Sequence, residues 1–388
     1  MLSGSSGRLS WRVPGSLRVS DLIRDPRRTP TPANRLCLDY RREAERLGRP
    51  PVPIIDAHCH VNGARATALF GEVCDLFGIA AVYSQSRLSD AEAVRTALGD
   101  RVRFIAFPEW GHPDRAAVHR ERFVEHIHEW HERFGARMVK LWGAPALRDY
   151  VEGDPDDVVA FDSPWRLRAV EAAERLGMML MVHVADPDVW FRTRYADASR
   201  YGTKRQQYES LERLLARFGG PVIAAHMGGW PEDLGFLDGL LGRHANLYLD
   251  TSATKWVVRA LGRHEPERVR AFLSRWRGRV LFGSDIVTMD SHLTPDKSGA
   301  PSIKADQASS TEEAFDLYAS RYWSLRTMFE TDYQGESPIA DPDLALEDPT
   351  RHDAMSAPTL RGLALGPGML RTLFRDAAVA LLEPRYAR

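Results

Sequence analysis

The segment "IIDAHCHV" (54–61) places His58 and His60 two residues apart at the end of a short apolar run, with Asp56 two residues before them. On an extended strand residues two apart share a face. Asp56, His58 and His60 are therefore expected to point one way and Ile55, Ala57 and Cys59 the other. Two imidazoles on one face are either one jaw of a metal clamp or plain polar residues at a strand end, and His-x-His alone does not choose between them. Three later apolar runs repeat the pattern: His183 ends "MMLMVHV" (178–184), His226 ends "PVIAAHMG" (221–228) and Asp285 ends "RVLFGSDI" (279–286). Three imidazoles with one carboxylate form a borderline-to-hard donor set, suited to zinc and also to manganese or iron. A divalent ion held this way lowers the pKa of a bound water to about 7, and a neighbouring unliganded histidine or aspartate can move the proton.

Such residues need a scaffold that brings distant strand ends together. From residue 52 onward, short β-type runs alternate with amphipathic helical stretches. The runs are 54–61, 79–84, 101–110, 137–143, 178–184, 221–228, 246–253 and 279–286. Helical stretches such as 163–177, 206–220 and 266–278 separate them, each ending on a glycine suited to a helix stop. Apolar strands alternating with helices imply parallel strands buried on both faces, and eight units predict an α/β fold, a (β/α)8 TIM barrel. A doubly wound open sheet would bring a glycine-rich phosphate turn after an early strand, and none is present. Residues 52–388 are thus expected to form the barrel. An Arg- and Pro-rich N-terminal extension (1–51) precedes it, partly disordered or wrapping. A long insertion (287–365) follows strand 8 and reads as a lid or a subunit contact, with the possibility of a homodimer. Within that insertion 311–331 is expected to be helical and the segment after it to be loop.

The formal net charge of −1 argues against DNA or an anionic membrane as a whole-chain partner. Three cysteines without a CxxC pair give no disulfide framework and fit a reducing compartment. No apolar run approaches the ~20 residues of a membrane helix, and the first residues lack a secretory apolar region. A cytoplasmic location is the expectation.

The motifs "IDAHCH" (55–60), "MVHVAD" (181–186), "AAHMGG" (224–229), "YLDTSA" (248–253) and "FGSDI" (282–286) together resemble the amidohydrolase superfamily. They are most similar to its amidohydrolase-related branch, which contains enzymes of the aminocarboxymuconate-semialdehyde decarboxylase type. The resemblance spans about residues 52–386. It implies that His58, His60, His183 and Asp285 bind one metal, most often zinc, and that His226 is the proton-transfer residue beside it. The last helix departs from the family at Ala377, where asparagine is common; this bears on packing.

Other residues can contribute around that centre. Lys140 at the end of strand 4 could meet a substrate carboxylate, or bridge two ions as a carboxylated lysine does in binuclear members. Lys255 and Arg259, four apart after strand 7, suggest an anionic substrate. Trp110 and Trp142 could wall a pocket for a flat or apolar group. Asp56 and Asp250 are expected behind the ligands, orienting imidazoles. The expected function is a metal-dependent hydrolase that uses an activated water on the carbonyl of a small, carboxylated molecule. A non-oxidative decarboxylase of an unsaturated or aromatic acid fits the same residues. A barrel that has lost catalysis and only binds a ligand is the third reading.

Overall fold

In a computed structural model of the chain, residues 17–109, 112–297 and 303–386 are described. The apolar runs become parallel strands because each is followed by a helix that returns the chain across the sheet. They are β1 (Ile54–His60), β2 (Ile79–Ser84), β3 (Val102–Phe104), β4 (Met138–Trp142), β5 (Met179–His183), β6 (Val222–Ala224), β7 (Leu247–Asp250), β8 (Val280–Leu281) and β9 (Ile286–Val287). Hydrogen-bonded order is β3-β2-β1-β9 in one sheet and β4-β5-β6-β7-β8 in the other.

Two seams join these sheets into a ring. Beyond β3, the Ala106 amide donates to the Met138 carbonyl (2.9 Å) and the Ala106 carbonyl accepts from the Lys140 amide (2.7 Å). On the other side, the Ala57 amide donates to Phe282 O (2.9 Å) and the Asp285 amide to His58 O (2.8 Å). The eighth strand is therefore two short pieces. β8 pairs with β7, the chain then turns through Gly283–Asp285, and β9 pairs with β1. The (β/α)8 architecture expected from the sequence is the one observed.

The lumen is filled by Ile55, Ala57, Met138, Met179, Met181, Ile223 and Leu281. Ala377, Ala378 and Leu381 of the helix Ala377–Leu381 belong to the same cluster and close it. Polar groups are thereby confined to the other end of the strands.

Strand 1 departs from simple alternation. Its register with β2 shifts between Asp56 and Cys59, a β-bulge. Ile55 and Ala57 face the lumen, so Asp56 does not share the inward face of His58 and His60. Its carboxylate instead meets Tyr322 on the helix Thr311–Glu330, outside the ring.

That helix anchors the insertion and the N-terminal extension together. Trp323 Nε1 donates to Glu43 Oε2 (2.7 Å), and Glu43 Oε1 also accepts from the Ile23 amide (2.6 Å). The segment after the helix is not the plain loop expected. It holds an antiparallel strand pair, β10 (Gln334–Glu336) with β11 (Thr359–Arg361), and a short helix Asp343–Glu347. No helix among the described residues is long and apolar enough to cross a membrane.

Buried His292 ties the start of the insertion to its later part. Its Nε2 lies 2.9 Å from Lys304 O, an acceptor only, so Nε2 carries the proton and Nδ1 accepts from Tyr318 Oη (2.9 Å). Burial, against the help of the Lys304 carbonyl, pushes this imidazole down to about 4. The unfolded chain takes up the proton first as pH falls through 6.5, so this site's stability is full above 6.5 and is lost towards 4. Denaturant titrations between pH 7 and 4.5 should show stability falling on acidification, with His292→Gln falling less steeply by up to about 1.4 kcal/mol per pH unit. Equal slopes in the two proteins would contradict this assignment.

Candidate metal centre

The expected residues converge at the C-terminal ends of the strands, where barrels of this kind carry their sites. His58 and His60 lie at the end of β1, Lys140 on β4 and His183 at the end of β5. His226 and Asp285 are not strand residues, contrary to expectation. Both lie in turns just beyond β6 and β8, with left-handed backbones (φ 58 and φ 60). A non-glycine residue in that region is costly and persists where surrounding contacts hold it. Gly283 permits the second turn, since a Cβ there would come within 3.1 Å of His58 Cβ and 3.3 Å of Ser252 Cβ.

Asp250 organises the rings. Its Oδ2 lies 2.9 Å from His58 Nδ1, and its Oδ1 accepts from the His226 amide (2.9 Å), the Ser252 amide (3.0 Å) and the Ser252 hydroxyl. Burial raises a carboxyl's pKa, yet His58 beside it holds Asp250 well below the usual carboxylate range. A carboxylate opposite Nδ1 assigns the His58 proton to Nδ1 and leaves the Nε2 lone pair free. That lone pair faces Asp285 Oδ1 at 3.5 Å, and His60 Nε2 is 3.2 Å from the same oxygen.

These three donors all lie within 4.8 Å of one another. Donors bound at about 2.1 Å to one tetrahedral ion stand ~3.4 Å apart, so the observed spacings fit a shared divalent ion. A second group, His58, His226 and Asp250, is equally close. There, however, the Asp250 oxygens are already filled by ring and backbone donors, which suits an orienting role. Burial pushes His60 down to about 4, keeping it neutral and able to ligate at neutral pH. Despite burial, His60 and Lys304 hold Asp285 well below its ordinary range, so it is ionised.

His183, expected as the fourth ligand, belongs to neither three-residue group. Its Nε2 lies 3.0 Å from Asp186 Oδ1, which makes Nε2 the protonated nitrogen, and Tyr195 Oη donates to Asp186 Oδ2 (2.8 Å). Its Nδ1 faces His226 Nε2 at 3.1 Å. Ser252 spends its proton on Asp250, so its oxygen accepts from His226 Nδ1 (2.8 Å). Two ring lone pairs are thus left facing each other. They require a shared proton or a cation between them.

The remaining expectations divide. Buried Lys140 places Nζ 3.4 Å from His58 Nε2, inside the centre, and burial pushes its amine down to about 8. Trp142 packs edge-on against His183, with centroids 6.1 Å apart, and forms a wall. Lys255 is half-buried beside the mouth. Trp110 lies outside the described residues. Arg259 is a correction: it is buried and bound to Asp341 and Asp343 of the insertion, so its charge is already matched. Asp56 is a second correction. It orients backbone and not an imidazole, accepting from the His58 amide (3.0 Å), the Ser284 amide (3.1 Å), Ser284 Oγ (2.5 Å) and Tyr322 Oη (2.8 Å). Ser252, Ser284, Asp186 and Tyr322 were not singled out from the sequence, although the first three lie within or beside the quoted motifs.

No family profile matches the chain, and no curated relative does. Among solved structures, an amidohydrolase from Burkholderia multivorans with bound HEPES is 14% identical (TM-score 0.39), covering 86% of this chain and 99% of its own. A 2,6-dihydroxybenzoate decarboxylase in complex with 2,6-dihydroxybenzoate is 11% identical (TM-score 0.41), with the same coverage of 86% and 99%. Dihydroorotase from Campylobacter jejuni is 16% identical (TM-score 0.39), over 70% of this chain and 82% of its own.

Two substitutions check the geometry. Asp250→Asn should weaken zinc binding 10- to 100-fold by releasing the His58 ring, read by competition with a chelating dye; unchanged affinity would remove its orienting role. Arg259→Met should cost about 3–5 kcal/mol in denaturant titration, because it strands buried carboxylates; a neutral result would return Arg259 to the substrate side.

Proposed function

We propose that the chain is a metal-dependent hydrolase that adds water to the carbonyl carbon of an amide, lactone or ester in a small anionic molecule. The observation that carries this reading is the convergence of His58 Nε2, His60 Nε2 and Asp285 Oδ1, at spacings of 3.5 and 3.2 Å, on a floor fixed by Asp250. A divalent ion, zinc by preference, would be held by these three residues and would supply Lewis acidity, bringing the pKa of a water down to about 7. His183 is the further candidate ligand.

The residues then have separate tasks. Asp285 turns Oδ1 to the two rings, which leaves Oδ2 to take the proton from the attacking water and pass it to the leaving nitrogen or oxygen. In the balance, one C–O bond forms, the C–N or C–O bond of the substrate breaks, and the water's proton ends on the leaving group. Burial and the neighbouring His183 hold the His226 imidazole well below its ordinary range, so it is neutral beside the centre, with an Nε2 lone pair that can take up a proton during the reaction. Lumen packing below and Trp142 beside the rings restrict water to the open end.

The test is a product assay with zinc-, manganese- and iron-loaded protein, following acid release from lactones, amides and esters beside CO2 release from unsaturated and aromatic acids. Acid release that falls at least about a hundredfold in Asp285→Asn is expected. CO2 release in its place would transfer the site to decarboxylation. Failure of both assays with every metal would favour a ligand-binding barrel.

A further inference from the structure

With Arg259 committed to carboxylates, the anion-binding role expected near the mouth needs another residue. The insertion helix Thr311–Glu330 brings one. Trp323, Tyr322 and Arg326 on this helix are all occupied, by Glu43, Asp56 and Glu330. Arg321 is half-buried, and its Nη1 donates only to its own helix, at Leu317 O (2.8 Å) and Ser320 Oγ (3.0 Å). Among the described residues no carboxylate pairs with it. Lys255, half-buried on the first turn after β7, likewise has no ion pair or hydrogen bond from its amine among the described residues.

Both cations are carried on elements anchored at Ser284, the residue before Asp285. The neighbour of Lys255, Thr254, donates through Oγ1 to Ser284 O (2.9 Å). The neighbour of Arg321, Tyr322, donates to Asp56, which also binds the Ser284 amide and hydroxyl. The same residue, Ser284, thus receives both elements, and the two helices pack against each other. Lys255 and Arg321 repel one another; Arg321 is attracted by Asp285, and Lys255 by Asp341 and Asp343 without a direct ion pair. Two other buried cations near the mouth are matched, Arg259 by Asp341 and Asp343 and Lys204 by Asp188 (2.7 Å), while Lys140 lies against His58 inside the centre. A half-buried pair of like charges whose carboxylates stand off beyond ion-pair distance, with Asp341 and Asp343 also occupied by Arg259, gains from an entering anion, which is what a recognition site for an anionic group requires.

We propose that Lys255 and Arg321 form the anion-recognition pair of this site, seating a carboxylate or phosphate that the substrate carries away from its reacting carbon. The insertion would then supply a specificity residue to the barrel. This inference rests on the metal-dependent reading above for the word substrate, but the pair itself can be tested apart from it.

The experiment is calorimetric titration of the full chain, zinc-loaded and zinc-free, with succinate and separately with inorganic phosphate. The parent, Lys255→Gln, Arg321→Gln and Arg321→Lys are compared, with zinc content measured on each. Binding of succinate, phosphate or both by the parent is expected. Each Gln variant should weaken it about tenfold or more, and Arg321→Lys should restore part of it. Zinc content should stay at the parent's level. Weakening for succinate alone identifies a carboxylate group, and weakening for phosphate alone a phosphate group. No binding by the parent, or binding indifferent to both Gln substitutions, overturns the pair. If the Gln variant of Arg321 fails to fold, Arg321→Lys binding as tightly as the parent overturns its part. Anion binding lost in the variants of a parent that takes up no zinc would keep the pair and remove the metal-dependent reading.

Discussion

A carboxylate sealed from water must find its donors in the protein, and Asp250 finds them on the two turns that matter most. One oxygen takes the His58 Nδ1 proton; the other takes the His226 amide and both Ser252 donors. From that single group follow the direction of the His58 Nε2 lone pair, the left-handed turn at His226 and the protonation pattern running through Ser252 to His183. Remove it and each ring is free to rotate. The His58 donor and the His226 ring thus share an origin in a residue that need not touch the ion.

A parallel arrangement holds the other side of the centre. Asp56, outside the ring because of the bulge in strand 1, binds the His58 amide and Ser284 and is itself held by Tyr322. Asp285 follows Ser284 directly, so the ligand turn is buttressed from the insertion. The insertion is pinned in turn by Glu43 of the N-terminal extension and by Arg259. Segments that read as appendages to a barrel are in physical terms its outer support. Their charges are paired where they are structural, while Arg321 of the insertion, like Lys255 of the barrel, has no direct ion pair among the described residues.

Much of this was legible in the residues. The alternation of apolar runs and helices marked eight strand positions because burial on both faces demands it, and His58, His60, His183, His226 and Asp285 stood out by type and place. What alternation could not show is backbone register. A bulge adds a residue without any mark in the sequence, and it turned Asp56 outward to the backbone, leaving the imidazole-orienting role expected of both aspartates to Asp250. The eighth strand was read as one run from its apolar start and the isoleucine after Asp285, whereas the turn at Gly283–Asp285 splits it. Arg259 looked free at helical spacing from Lys255, since its partners Asp341 and Asp343 lie 82 and 84 residues away. Long-range pairing of that kind leaves no local pattern.

The most direct measurement is anomalous diffraction at the zinc edge from crystals of the full chain grown with zinc. A peak about 2.0–2.2 Å from His58 Nε2, His60 Nε2 and Asp285 Oδ1 is the predicted result. No peak, or a peak confined to the gap between His183 and His226 with none at His60, would contradict it.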